Sequence, residues 1–320
     1  MRLCFVLALA GAMSAAHASF ELMILPNASS SVLTRWDPVS RVNLGTIGEQ
    51  GGSSVMSVNQ MATGNIAATS SVGTVLYEPY SGTYQGSQPL PSTLCSIDPN
   101  HATLYEAFGQ FVYRYNGTTG ASISNLSTGL NIYGIIGVTS TRAFVYGTNA
   151  SGDLVARGVD FSTSTLSAQT TIVAAASVAS PNLIGMGAVS VNATSGGFAV
   201  KFTYRNSLNL NYLNVMNYNS SMALTSFSST AISGFGTGAL CVISGHLGYY
   251  VVGDDAASST VTRLTRYGTD NVILGSSTTS SVDVPSYRWS GANILAPEPG
   301  PFVAMGLGLA ALIVRRRRKD

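Results

Sequence analysis

Charge is scarce in this 320-residue chain: Lys, Arg, Asp and Glu together supply 9% of the residues, beside only three histidines and three cysteines. Each shortage excludes something. Without an H-E-x-x-H pair or closely spaced cysteines, a zinc centre has no ligand set. No G-x-S-x-G elbow and no G-x-x-x-x-G-K-[ST] loop occurs, which removes the usual serine-hydrolase and phosphate-cradling signatures. The net charge of +2 comes from the chain ends, because residues 20–296 hold ten Lys and Arg against twelve Asp and Glu. A clustered basic surface is therefore missing from the body, and nucleic acid is excluded as a partner. Abundant Ser, Thr, Asn and β-branched residues disfavour long helices and suit short strands joined by polar turns.

What is present begins at the ends. Arg2, an apolar stretch from Leu3 to Ala12 and the small-residue exit Ala16-His17-Ala18 have the three parts of a secretory signal peptide, with Ala16 and Ala18 as the peptidase recognition residues. Residues 1–18 are expected to form a signal helix that signal peptidase removes. At the other end, residues 302–314 carry no polar side chain. As a helix they would reach roughly 20 Å, against about 30 Å of hydrocarbon, with an insertion energy of only about −3 kcal/mol. A single transmembrane helix over about 301–314 therefore suits transient residence in the membrane. The basic cluster Arg315, Arg316, Arg317, Arg318 and Lys319 holds residues 315–320 in the cytoplasm by the positive-inside rule. The body, residues 19–295, then lies outside the inner membrane.

The tail from 296 to 320, with Pro297-Glu298-Pro299 followed by a short hydrophobic span and a terminal arginine block, resembles the PEP-CTERM sorting signal of Gram-negative bacteria. That resemblance implies recognition by the membrane enzyme exosortase and processing near Pro297, Glu298 and Pro299. It also implies delivery of the body to the cell surface or outside the cell, commonly in organisms that make extracellular polysaccharide. An ordinary tail anchor with a proline-rich linker is the alternative.

Within the body one pattern recurs. A strand ending in an aromatic is followed by an acidic or amide residue and a few Ser, Thr or Gly, at Trp36-Asp37, Tyr77-Glu78, Tyr115-Asn116, Val159-Asp160 (the one non-aromatic lead) and Tyr218-Asn219, and at Tyr267-Gly268-Thr269-Asp270-Asn271, where the acidic residue comes three places on. The starts are 41, 38, 44, 59 and 49 residues apart. Asp and Asn side chains can accept from backbone N–H groups two residues on, so each instance predicts a hairpin. Most hairpins are preceded by two further apolar stretches, which makes four strands per unit. The expectation is an all-β chain forming a six-bladed β-propeller-like domain. A large β-sandwich is the alternative, and a β-solenoid fits poorly because its coils should be of equal length. The first unit is one strand short, and residues 284–289 are the expected strand that closes the ring. Cys95 and Cys241 fall on matching innermost strands of opposite units, too far apart for the roughly 4.4–6.8 Å of a disulfide, and are expected to be buried thiols.

Chemistry within the body is thin. His101 reads as a turn residue after Asp98-Pro99-Asn100, and His246 follows Gly245 in another turn. Asp254-Asp255 is the one adjacent carboxylate pair, a weak candidate for calcium. No catalytic residue and no cofactor is assigned. The expected role is that of an exported surface or extracellular-matrix protein with a non-catalytic binding or structural role toward exopolysaccharide or other surface proteins. Its processing partners are signal peptidase and exosortase, and its contact with the inner membrane runs through the C-terminal helix. A secreted propeller hydrolase acting on glycans is the alternative, since two carboxylates suffice for that chemistry.

Overall fold

The computed structural model describes residues 21–26, 32–38, 42–49, 55–61, 63–70, 73–88, 94–174, 188–191, 196–206, 208–245, 248–279 and 292–295. The expected signal segment at 1–18, residues Pro297–Pro299 and 301–320, and the expected closing strand at 284–289 lie outside them. Among the described residues no helix is long and apolar enough to cross a membrane.

The described chain is all-β and divides into six antiparallel sheets, following one another in sequence. Sheet 1 holds β1 (Glu21–Pro26), β2 (Val32–Asp37) and β3 (Val42–Glu49); sheet 2 holds β4 (Val55–Gln60), β5 (Ile66–Ser70), β6 (Gly73–Tyr77) and β7 (Tyr84–Gln88). Sheet 3 holds β8 (Leu94–Ile97), β9 (Thr103–Phe108), β10 (Phe111–Asn116) and β11 (Ser122–Ser127). Sheet 4 holds β12 (Asn131–Thr139), β13 (Arg142–Thr148) and β14 (Leu154–Asp160), its outer position split between β15 (Thr165–Leu166) and β16 (Thr170–Val173). Sheet 5 holds β17 (Ala188–Val191), β18 (Phe198–Arg205), β19 (Asn211–Tyr218) and β20 (Leu224–Ile232). Sheet 6 holds β21 (Phe235–Gly245), β22 (Gly248–Asp255), β23 (Ser258–Gly268) and β24 (Ile273–Thr279). The last strand, β25 (Ala292–Leu295), returns to pair with β1, Glu21 opposite Leu295.

These sheets are the blades of a propeller. Their first strands touch in a closed circuit, β25 to β4, β4 to β8, β8 to β12, β12 to β17, β17 to β21 and β21 back to β25. The inner strand of blade 1 is therefore the last described strand, which closes the ring and leaves neither sheet edge of that seam open. Side chains stitch the inner circuit. Asn59 accepts from the Ile97 amide at 3.2 Å and donates to the Cys95 carbonyl at 3.4 Å, and the Gly137 amide donates to Ser96 Oγ at 3.0 Å. A Cβ on Gly137 would lie 2.8 Å from the Asp98 nitrogen, so the approach of β12 to blade 3 requires glycine there.

All six expected hairpins join the third and fourth strands of a blade, and local chemistry sets them. Asn116 Oδ1 accepts from the amides of Thr118 and Thr119 at 2.9 and 2.8 Å, and Asn219 Oδ1 accepts from Ser221 and Ala223 at 3.0 and 2.9 Å. Asp160 and Asp270 do the same with Ser162 and Val272. Cys95 on β8 and Cys241 on β21 are buried thiols, not joined to each other, in blades 3 and 6 of the ring.

Blades diverge outward, so each seam is a wedge that side chains must fill. Between blades 4 and 5 aromatics fill it: Tyr146 stacks on Phe202 at 4.6 Å and Phe198 on Tyr218 at 5.0 Å. Such pairs contribute about 0.5–1.5 kcal/mol each beyond the area they bury. Shared apolar clusters also join blades 1 and 2, 3 and 4, 5 and 6, and 6 and 1. The seam between blades 2 and 3 differs. Among the described residues its apolar cluster, Cys95, Leu104 and Tyr115, draws only on blade 3. Val58, Ile66 and Ala68 of blade 2 pack toward blade 1, so strand alternation turns Ser57, Ala67 and Thr69 toward blade 3.

Candidate functional site

The inner strands β4, β8, β12, β17, β21 and β25 contain no Asp, Glu, His, Lys or Arg. The axis is thus lined by strands of uncharged residues. Asp98, which follows β8, is committed to its own turn: it accepts from the amides of Thr103 at 2.6 Å and Asn100 at 3.1 Å. His101 sits in that turn with a φ of 56° and its Nδ1 lies 2.8 Å from the Gln60 carbonyl, a turn role as the sequence suggested.

Asp254 and Asp255, the weak metal candidates, are both largely buried at the end of β22. Asp255 Oδ2 takes Arg263 Nε at 2.7 Å and Nη2 at 2.6 Å, and its Oδ1 accepts from the Ala257 amide at 2.8 Å. The amide bond and then the Arg263 guanidinium hold its carboxyl below the usual carboxylate range, against the opposing effect of burial. Asp254 acts electrostatically on Arg205, whose guanidinium also donates to Asn211 Oδ1 and the Gly236 carbonyl. Asp255 therefore ties β22 to β23 within blade 6, while Arg205 reaches from blade 5 to Gly236 and Asp254 of blade 6. Among the described residues no group of three His, Cys, Asp or Glu comes together to hold a metal ion. Pro297, Glu298, Pro299, Arg315, Arg316, Arg317, Arg318, Lys319, Ala16 and Ala18 lie outside the described residues.

A groove of about 430 Å³ opens between blades 5 and 6, within the roughly 300–1,000 Å³ of small-ligand sites. Its cause is the size of the side chains in the outer wedge. Close to the axis the seam is filled by Leu213, Phe235, Leu240 and Tyr249. Farther out, β20 presents Ser228 opposite Val215 and Thr230 opposite Leu213, while Ser276 of β24 lies opposite Thr265 of β23. These short hydroxyl side chains leave the outer wedge open, whereas between blades 4 and 5 the outer strand β16 packs Ile172 and Val173 against the aromatic cluster. The corresponding space between blades 6 and 1 is only about 70 Å³.

Tyr267 stands at the floor of the groove, its ring 5.0 Å from that of Tyr249 and 2° from parallel. Burial raises the phenol pKa of both, so both stay neutral. Tyr249 donates to Asn271 Oδ1 at 3.0 Å, which ties the floor to a wall residue. Lys201 Nζ lies 5.1 Å from the Tyr249 ring centre, and burial lowers its pKa. Arg263 is the charged residue of the lining, and its Nη1 donates to Ser276 Oγ at 3.0 Å. Its guanidinium lies against Gly234, whose φ of +84° and whose absent Cβ, which would be 3.1 Å from Arg263 Cζ, both call for glycine. Sequence reading missed this groove; the available signal was Ser and Thr at alternate positions of outer strands, at Ser226-Phe227-Ser228-Ser229-Thr230 and Gly275-Ser276-Ser277.

No protein-family model matches the chain, and no curated sequence matches it significantly. Its fold is found in solved structures. TolB from Acinetobacter baumannii aligns over 86% of this chain and 66% of its own at 12% identity, with a TM-score of 0.56. A functionally unknown protein from Desulfotomaculum acetoxidans aligns over 86% and 88% at 13% identity and a TM-score of 0.53. A protein from Lactobacillus plantarum aligns over 86% and 99% at 12% identity, with the same TM-score of 0.53. At these identities the likeness is one of fold alone.

Proposed function

We propose that this chain is an exported propeller that binds rather than catalyses. On this reading it is sorted through its C-terminal segment to the cell surface or extracellular matrix, where it holds exopolysaccharide or another surface protein. One observation carries the binding half of the reading: among the described residues a groove walled by hydroxyls opens between the outer strands of two neighbouring blades, while the strands around the axis bear no Asp, Glu, His, Lys or Arg to serve as an acid, base or anion clamp. The sorting half is supported by the order of parts in the sequence, a small-residue exit at Ala16 and Ala18, the Pro297-Glu298-Pro299 hinge, a short apolar run and the Arg315–Lys319 cluster.

The test is cell fractionation of the full chain in a host that contains exosortase. The expected product is surface or medium material that has lost the residues after the hinge, detected by terminal peptide mapping. Replacing residues 315–319 with serine should leave the protein in the inner-membrane fraction or mislocalised. Mature extracellular protein still carrying Asp320, or an unchanged destination for the serine variant, would refute the sorting half.

A further inference from the structure

We infer that the groove between blades 5 and 6 holds an extended, uncharged polyhydroxyl chain, that is, a neutral polysaccharide segment. The inference rests on the reading of the chain as a surface binding protein and adds the ligand class to it.

Three features of the lining point to that class. Its polar groups are mostly hydroxyls, Ser228, Thr230, Ser233, Thr265 and Ser276, and a hydroxyl both donates and accepts. Such a surface suits a ligand whose own groups are hydroxyls, because either partner can reorient to satisfy the other. Between them lie aliphatic patches from Leu213, Val215, Ile232 and Ile273, which match the C–H faces of a sugar ring. The one charged residue of the lining, Arg263, is already neutralised by Asp255 at 2.6 Å, so an anionic polymer finds no uncommitted guanidinium there. The walls are the faces of β20 on one side and of β23 and β24 on the other, which favours a chain lying along the wedge. An added polypeptide strand would instead pair with the main-chain edge of β20 and leave the floor unused.

The experiment is affinity electrophoresis of the full chain in gels containing dextran, hydroxyethyl cellulose or galactomannan, with alginate as the anionic polymer and reduced, carboxymethylated casein as the extended polypeptide. The variant Ser228→Phe/Thr230→Phe fills the wedge from exposed positions of a strand that tolerates aromatics. Thr118→Phe, exposed in the blade 3 hairpin, adds the same apolar surface elsewhere. The expected result is retardation of wild type and Thr118→Phe by at least one neutral polymer, with at least about tenfold weaker binding by the filled variant and no stronger effect of alginate. If the double variant does not fold, the single Thr230→Phe carries the comparison. Equal retardation of the filled variant would overturn the groove as the site, and groove-dependent binding of alginate or casein alone would overturn the ligand class. Wild type that binds no neutral polymer, yet reaches the cell surface in the fractionation above, would overturn this inference and leave the broader reading standing.

Discussion

The hydroxyl of Tyr115 donates a 3.1 Å hydrogen bond to Oε2 of Glu106, while Glu106 Oε1 is buried without a partner. Glu106 lies on β9, opposite Cys95 on β8 and Tyr113 on β10, on the face of blade 3 that meets the polar side of blade 2. A carboxylate there is half solvated at best. Burial pushes its pKa from 4.5 to about 7, with the Tyr115 bond working in the other direction.

Because the folded state holds this proton more tightly than the unfolded chain, its contribution is fully present below about pH 4.5 and is lost as pH rises through about 7. Discounted for residual screening, the loss should be about 2 kcal/mol. Urea unfolding at a series of pH values should show this decline in wild type and a flatter profile in Glu106→Gln. Identical profiles would mean that Glu106 ionises without hindrance.

The aromatic seam between blades 4 and 5 should be intolerant of added volume. A Cβ at Gly134 would sit 1.9 Å from Tyr146 Cζ, and Tyr146 cannot swing away without leaving its stack on Phe202. Gly134→Ala should therefore cost about 1–3 kcal/mol, read as a lower urea midpoint with an unchanged slope. A neutral outcome would show that the ring has room to move.

Cys95 and Cys241 are 1% and 0% exposed. Neither should react with a maleimide in the native protein, and both should be labelled after denaturation, as peptide mapping will report. A disulfide-linked Cys95–Cys241 peptide would contradict the placement of these residues in opposite blades.

Removal of β25 should expose the Glu21–Ile24 edge of β1. A chain stopped at residue 291 is expected to melt less cooperatively than the full chain and to associate through the open strand, visible as a broadened melt and a shifted elution volume. An unchanged monomeric melt would place ring closure elsewhere.

How far these features are legible in sequence depends on the range of the interaction that makes them. Asn116 and Asn219 set their hairpins through amides two to four residues away, so the turns, the blade count and the strands feeding them can be read directly. Ring closure is a long-range pairing of Glu21 with Leu295; sequence pattern suggests a closing strand but points to 284–289, because Val284 and Trp289 are better strand formers than Ala292 and Asn293. The groove depends on which faces of β20 and β24 oppose each other, and a Ser-Thr alternation reads the same in any outer strand. Glu106 likewise reads as an ordinary charged residue between Tyr105 and Ala107; its raised proton affinity comes from burial in the assembled fold.

The pairing of the first described strand with the last has a mechanical meaning. Glu21 lies opposite Leu295 and β1 continues away from that point into the body, so a pull on the chain beyond Leu295 loads the whole β1–β25 ladder in shear instead of peeling it one rung at a time. The joint that seals the ring is also the one through which a tethered molecule would bear drag from its surroundings, and on the sorting proposal a cut at Pro297–Pro299, which follow Leu295 by two residues, would relieve the load and spare the seal.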